Sequence, residues 1–130
     1  LEIGTGCGYQ AAVLMAMGFR VYSVERIREL YLQAQKNLAN TGFDPNALFY
    51  GDGFAGLPQF APFRGILVAC GAPEVPRILK EQLALNGKMV VPVGQHEQRM
   101  LRITRTGADE YKTEDFGFYQ FVPMLGGTQK

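Results

Sequence analysis

The chain has one histidine, His96, and two cysteines, Cys7 and Cys70, among its 130 residues. Neither cysteine sits in a CxxC spacing or near further Cys or His partners, so no structural zinc site or redox dithiol is indicated. His96 lies among polar residues after Gly94 without an orienting carboxylate pattern, as a surface-loop histidine does. No metal site and no catalytic side chain is therefore expected. No apolar run approaches the roughly 20 residues that span a bilayer, and no charged leader precedes one. Charge of one sign is not concentrated either: 13 basic and 12 acidic residues leave a net charge of +1. Arg26, Arg28, Arg99, Arg102 and Arg105 are interspersed as on solvated faces, which argues against nucleic acid or anionic membrane as a partner. Internal repeats, low-complexity tracts and domain linkers are absent. What remains is one globular domain with 47% hydrophobic residues, expected in the cytoplasm with reduced thiols and without an obligate partner.

What the chain does have is glycine where a ligand loop needs it. LEIGTGCGYQ places Gly4, Gly6 and Gly8 directly after a short apolar run, where freedom from a Cβ allows positive φ and close approach of backbone to a ligand. A dinucleotide fingerprint requires GxGxxG, its last glycine letting helix and strand pack near a pyrophosphate. Tyr9 occupies that third position, so the pattern is GxGxG and a nicotinamide dinucleotide is disfavoured. Glu25 then closes the apolar strand Val21-Tyr22-Ser23-Val24, where a carboxylate can accept hydrogen bonds from both hydroxyls of a ribose. The bland alternative for each signal alone is a glycine turn and a solvated strand-end glutamate.

The rest alternates strands and helices. Leu1 to Gly4 ends a strand, and Gln10 to Met17 reads as a helix stopped by Gly18. Arg20 to Glu25 reads as a strand, and Ile27, Leu30, Tyr31, Ala34 and Leu38 recur at helical spacing up to Thr41-Gly42. Leu48 to Tyr50 reads as a strand delivering Gly51-Asp52-Gly53, and Gly65 to Ala69 as a strand buried on both faces. Pro73 or Pro76 opens a helix containing Ile78, Leu79 and Leu83, which Asn86-Gly87 ends before the strand Lys88 to Val93. Beyond Gly94, alternation through Leu101 and Ile103 and then Phe116 to Val122 predicts two antiparallel strands around Gly107. The aromatic cluster Phe116, Phe118, Tyr119 and Phe121 is expected in the core. The fold class is α/β, Rossmann-like, with a mostly parallel sheet and a C-terminal antiparallel pair.

GxGxG with its flanking Glu2 and Gln10 resembles the first motif of S-adenosylmethionine (SAM)-dependent methyltransferases. LEIGTGCGYQAAVL, VYSVER, GDGFAGLP, APEVP, MVVPVG and FVPML together resemble, in order and spacing, the protein-L-isoaspartate O-methyltransferases. The resemblance implies a SAM-dependent methyltransferase domain over residues 1–130, lacking the N-terminal segment that family members carry before the first motif. An exposed apolar patch and a tendency to associate are expected where that segment would cover the sheet. It further implies that Glu2, Gly4, Thr5, Gly6 and Gly8 line the methionine end of SAM, that Glu25 with Arg26 meets its ribose, and that Asp52 and Gly53 meet adenine. Val122 and Pro123 would hold the substrate, the Val122 amide as donor. The implied activity is methyl transfer from SAM to the free carboxylate of L-isoaspartyl residues in damaged proteins and peptides, a repair function. A carboxylate with an ordinary pKa near 4 is already anionic at neutral pH, so no general base is needed. The alternatives are a SAM methyltransferase for another carboxylate or small molecule, and an inactive SAM-binding fragment. Cys7 stands where the family commonly has serine, and Asn86-Gly87 is a pair chemically prone to deamidation.

Overall fold

A computed structural model describes all residues, 1–130. Seven strands form one sheet: β1 Glu2–Ile3, β2 Ser23–Glu25, β3 Leu48–Tyr50, β4 Phe63–Val68, β5 Leu83–Val93, β6 Gln98–Arg105 and β7 Tyr111–Tyr119. Their order is β3-β2-β1-β4-β5-β6-β7. The pairs among β1 to β5 are parallel, while β6 runs antiparallel to β5 and β7 to β6. After β1 the chain builds outward through β2 and β3, then returns to the other side of β1 with β4. That reversal opens a crevice at the carboxyl ends of β1 and β4, where ligands of open α/β sheets bind.

Three helices cover parts of the sheet: α1 Tyr9–Ala16, α2 Arg28–Asn40 and α3 Arg77–Glu81. On α2, Ala34 and Leu38 are one turn apart and both buried, packing with Leu48 of β3 because side chains four apart share a helix face. The larger core lies on the other side of the sheet, where Ile3, Val24, Ile66, Val68, Met89, Val91 and Ile103 meet Leu79, Leu83 and Met124. No helix is long and apolar enough to cross a membrane.

The elements expected from the sequence are largely in place, with four corrections. First, β2 begins at Ser23 rather than Arg20. Second, α3 ends at Glu81, and Leu83 belongs to a strand. The helix stops because its last carbonyls find better donors elsewhere: Arg105 donates through Nη1 to the oxygens of Glu81 (3.0 Å) and Leu83 (2.7 Å), and the Phe63 amide donates to Gln82 (2.8 Å). Asn86-Gly87 consequently lies within β5 and ends no helix. Third, β4 is not buried on both faces. The register row Leu67, Val90, Arg102, Glu114 meets no helix, since α2 packs on β2 and β3 while α3 packs on β5 from the core side. Its members stay half-buried, so an uncovered sheet face with apolar Leu67 and Val90 is present.

Fourth, the aromatic cluster is outside the core: Phe116, Phe118 and Tyr119 are each at least half exposed and Phe121 is exposed at 36%. Edge strand β7 has only β6 beside it, so the rings pack on arginines instead. The Arg99 guanidinium lies 4.1 Å from the Phe118 ring centre and that of Arg102 5.1 Å from Phe116. The same arginines pair with Asp115 (2.7 Å) and Glu114 (2.9 Å).

Buried Gln82 ties α3 to the segment after β3. Its Oε1 accepts from the Leu57 amide (3.1 Å) and its Nε2 donates to the Ala55 carbonyl (2.9 Å). Gln82→Met keeps the side-chain length but leaves both backbone groups without partners, and urea unfolding of this variant is expected to show a loss of about 1–3 kcal/mol for each group left unsatisfied.

Candidate functional site

The crevice at the strand reversal is a cavity of about 490 Å³, within the range of about 300–1,000 Å³ usual for small-molecule sites. Gly4 (φ 93°) and Gly6 (φ 58°) form its wall from the β1–α1 loop. Both adopt the left-handed region that a side chain disfavours, and their lack of Cβ brings backbone directly to the cavity surface. Gly8 serves a different purpose. It is buried beside Ala34 and Leu38 of α2 at ordinary contact distance, and its φ of 91° turns the chain into α1 through a conformation that a side chain disfavours.

Glu25 ends β2 at the cavity edge and is almost fully buried. Its Oε1 accepts from the Gly6 amide (2.9 Å) and its Oε2 from the Ile27 amide (3.0 Å). One carboxylate thus pins the glycine loop and the entry to α2 together. Each carboxylate oxygen has about two acceptor sites, so one per oxygen remains for a ligand donor. This is the capacity a ribose diol requires.

Glu2 is placed differently. It is 1% exposed and lies beneath the loop, outside the cavity wall. Its Oε1 accepts from Ser23 Oγ (2.6 Å) and its Oε2 from Gln10 Nε2 (2.8 Å). Because the single hydroxyl proton of Ser23 is committed to Glu2, the 2.6 Å contact between Ser23 and Thr5 has Thr5 as donor. The relay Thr5 to Ser23 to Glu2, with Gln10 completing it, binds loop, β2, β1 and α1 into one unit. Burial raises the Glu2 carboxyl above its ordinary value, against the hydrogen bonds from Ser23 and Gln10 that lower it. Ser23 and Gln10 carry no sequence signal for this role beyond their polarity next to apolar residues.

The other side of the cavity is closed by the chain after β7. The Gly71 amide donates to the Val122 carbonyl (2.7 Å) and the Met124 amide to the Gly71 carbonyl (2.8 Å), while Met124 enters the core. Farther on, the Gln129 amide donates to the Arg26 carbonyl and the Arg28 amide to the Gln129 carbonyl, each at 2.7 Å. Residues 122–129 therefore form a strap from the tip of β4 to the start of α2, and Val122 to Leu125 line the cavity. The Val122 amide makes no backbone hydrogen bond, and the residue is 71% exposed at the rim. Arg26 lines the cavity beneath the strap. Its Nη atoms make only long contacts of 3.5 Å to Gln129 Oε1 and the Gly126 carbonyl, and its buried Nε has no partner.

Of the residues singled out from the sequence, Gly4, Gly6, Glu25, Arg26, Gly53, Val122 and Pro123 border this one cavity. Glu2, Thr5 and Gly8 are buried outside its lining, and half-buried Asp52 adjoins the lining residue Gly53. Asp52 Oδ1 accepts from the Phe54 amide (2.9 Å), and Gly53 is required because a Cβ there would stand 2.5 Å from Ile3 Cγ2. Sequence reasoning missed Cys70 in the wall. Burial, helped by the negative charge of Glu25, pushes its thiol up to about 11, so it is neutral at physiological pH. Both cysteines are free, Cys7 exposed. His96 is exposed in the loop between β5 and β6.

A family profile described as "Protein-L-isoaspartate(D-aspartate) O-methyltransferase (PCMT)" matches residues 1–129. Among curated relatives, the Protein-L-isoaspartate O-methyltransferase of Christiangramia forsetii is 48% identical over 125 residues, 96% of this chain and 59% of that protein. Protein-L-isoaspartate O-methyltransferase 2 of Marinobacter nauticus is 51% identical over 128 residues, 97% of this chain and 58% of its own length. The chain thus spans under two thirds of the length of these relatives. Among solved structures, a protein-L-isoaspartate O-methyltransferase matches with TM-score 0.88 at 28% identity, over 98% of this chain and 42% of that one. A Plasmodium falciparum structure, titled as a complex with S-adenosyl-L-homocysteine, matches in fold with TM-score 0.76 at 22% identity, over 95% of this chain and 64% of its own.

The raised Glu2 carboxyl sets a pH dependence. A group that holds its proton more tightly in the folded state contributes stability that is complete below its unfolded value and lost as pH rises through the folded one. Urea unfolding from mildly acidic to neutral pH should therefore show the parent losing stability relative to Glu2→Gln, with the difference disappearing below the ordinary carboxylate range. The thiols give a second check: at neutral pH iodoacetamide is expected to label Cys7 in the native protein and Cys70 only after unfolding.

Proposed function

This chain belongs to the protein-L-isoaspartate O-methyltransferase family, and on that premise we propose that its cavity binds SAM and that the protein methylates the free carboxylate of L-isoaspartyl residues in damaged proteins and peptides. The observation that carries the proposal is Glu25, locked by the Gly6 and Ile27 amides at the cavity edge with unused acceptor capacity. A diol-bearing nucleoside matches that capacity. The donor set also fits a ligand without phosphate, since Tyr9 stands where a pyrophosphate fingerprint needs glycine. Residues 1–130 then constitute a SAM-dependent methyltransferase domain, part of the length its relatives have. Its free thiols suit a reducing compartment, and we place the protein in the cytoplasm as a repair enzyme.

In this reading Gly4 and Gly6 offer backbone to the methionine end, and Glu2 with Thr5 and Gly8 holds the loop in shape from behind. Glu25 accepts from the ribose hydroxyls, with Arg26 covering that end. Asp52 has Oδ2 free of the Phe54 amide for an exocyclic amine, and Gly53 leaves room for the adenine. When bound, SAM supplies a methyl group on a sulfonium centre. The remaining contributions come from the chain. The free Val122 amide donates to the incoming carboxylate and Pro123 stiffens the rim beside it. Ile3, Val24, Met124 and Leu125 line the cavity and exclude water from an anion that is more reactive when poorly hydrated. No side chain has to move a proton, because the nucleophile arrives ionised. Alignment and water exclusion carry the rate.

Calorimetric titration with S-adenosylhomocysteine tests the cofactor half. Glu25→Gln should weaken binding about 10- to 100-fold, the equivalent of about 1.5–3 kcal/mol for hydrogen bonds to a charged acceptor, with a melting transition that stays cooperative. Absence of uptake by the parent protein would remove the proposal. The substrate half is tested by methylation of an isoaspartyl peptide beside its aspartyl isomer, where turnover is expected on the first alone and equal rates would point to another carboxylate.

A further inference from the structure

Gln98 begins β6, pairs through its backbone with Tyr119 of β7 and is 2% exposed. Its side chain takes no part in the cavity wall. The β6–β7 ladder ends at this pair, so the residues after Tyr119 run on without main-chain partners from β6. Continuing the same register would set His96 opposite Phe121, but His96 is exposed in the β5–β6 loop. The Gln98 side chain takes that place. Its Oε1 accepts from the Phe121 amide at 2.7 Å, within the range of a well-formed hydrogen bond, while its Nε2 makes only a long contact of 3.5 Å to the Gly94 carbonyl. A side-chain carbonyl thereby extends the ladder one step past its end.

The same amide group packs against Gly71. A Cβ there would stand 2.7 Å from Gln98 Cδ and 2.8 Å from its Nε2, so the place of the Gln98 amide depends on glycine at 71. Gly71 in turn holds the strap, donating to the Val122 carbonyl at 2.7 Å and accepting from the Met124 amide at 2.8 Å. Two consecutive residues are therefore fixed, Phe121 through its N–H by Gln98 and Val122 through its C=O by Gly71. Between these anchors lies the Val122 N–H, which has no backbone partner. With the groups on both sides bonded, the planar peptide that carries this donor has little freedom to rotate.

We propose that Gln98 is a positioning residue for the substrate: by holding Phe121 it directs the Val122 amide at the incoming isoaspartyl carboxylate, a role that rests on the methyl-transfer reading of the cavity. Glutamine suits the task. It accepts as a main-chain carbonyl does and carries no charge, whereas a glutamate here would add an anion close to a donor meant for a carboxylate. The effect falls on substrate binding. As the carboxylate oxygen bonds to the methyl carbon and the carbon–sulfur bond breaks, the electron pair passes to sulfur, so negative charge on the oxygen and positive charge on sulfur fade together. A hydrogen bond to that carboxylate is accordingly at full strength in the bound substrate and no stronger in the transition state. Losing its alignment raises KM and leaves kcat.

Amide hydrogen exchange and steady-state kinetics test this together. In the parent the Phe121 amide is expected to be protected although it lies outside the ladder. In Gln98→Met, which keeps the side-chain length and loses the acceptor, it should exchange freely. The same variant should raise KM for an isoaspartyl peptide about 10-fold, the scale of a lost hydrogen bond to a charged group, with kcat and S-adenosylhomocysteine affinity unchanged. Gly71→Ala displaces the Gln98 amide without removing a polar group. It should reproduce the rise in KM, and the double variant should exceed neither single one, because both act through one contact. An unprotected Phe121 amide in the parent overturns the proposal, as does lost protection in Gln98→Met at unchanged KM. A fall in S-adenosylhomocysteine affinity matching the rise in KM also overturns it, since Gln98 would then support the enclosure as a whole. If the parent binds S-adenosylhomocysteine but methylates no isoaspartyl peptide, the substrate reading of the site fails and takes this role with it, whatever the exchange data show.

Discussion

The site depends on a carboxylate at the point where three segments meet. Glu25 closes β2, and its two oxygens hold amides from the β1–α1 loop and from the residue that begins the approach to α2. Removing that charge would free Gly6 from Ile27, and the two walls of the cavity would lose their common anchor. A buried anion is costly unless its acceptor sites are filled. The same geometry that satisfies Glu25 therefore shapes the loop and leaves a deficit that a ligand donor can meet.

A second carboxylate, on the neighbouring strand β1, has the opposite assignment. Glu2 and Ser23 are register partners, and the Glu2 side chain spends its acceptors on Ser23 and Gln10. Burial raises its proton affinity, and the Glu25 oxygens accept from the Gly6 and Ile27 amides. The two acids divide the work between holding the loop from beneath and facing the cavity. The strap from Val122 to Gln129 completes the enclosure from a distant part of the chain, with Met124 buried as its anchor. Cavity residues thus come from β1 and the loop after it, β2, α2, Gly53 beyond β3, the two residues that follow β4 and the C-terminal strap, and no single motif contains them.

Much of this was legible beforehand where local chemistry decides. The glycine pattern marks the loop that walls the cavity, Glu25 at the end of an apolar strand falls at its edge, and β3 and α2 follow their periodicity closely. The misjudged segments are those where a distant group competes with local preference. Helical spacing continues through Leu83, but Arg105 captures the carbonyls of Glu81 and Leu83 and turns the chain into β5. The β7 aromatics have core-like composition, yet the strand is at the sheet edge and its rings pack on arginines.

The sequence by itself determined the order of strands and helices, the loop with positive φ and the acid beside it, because these follow from Cβ sterics and short-range periodicity. Only the tertiary structure decided which acid faces the cavity, that Cys70 joins its wall and that the strap closes it. Each of these depends on what a remote segment places against the residue. Burial and hydrogen-bond partnership are properties of the assembled neighbourhood, which no local pattern contains.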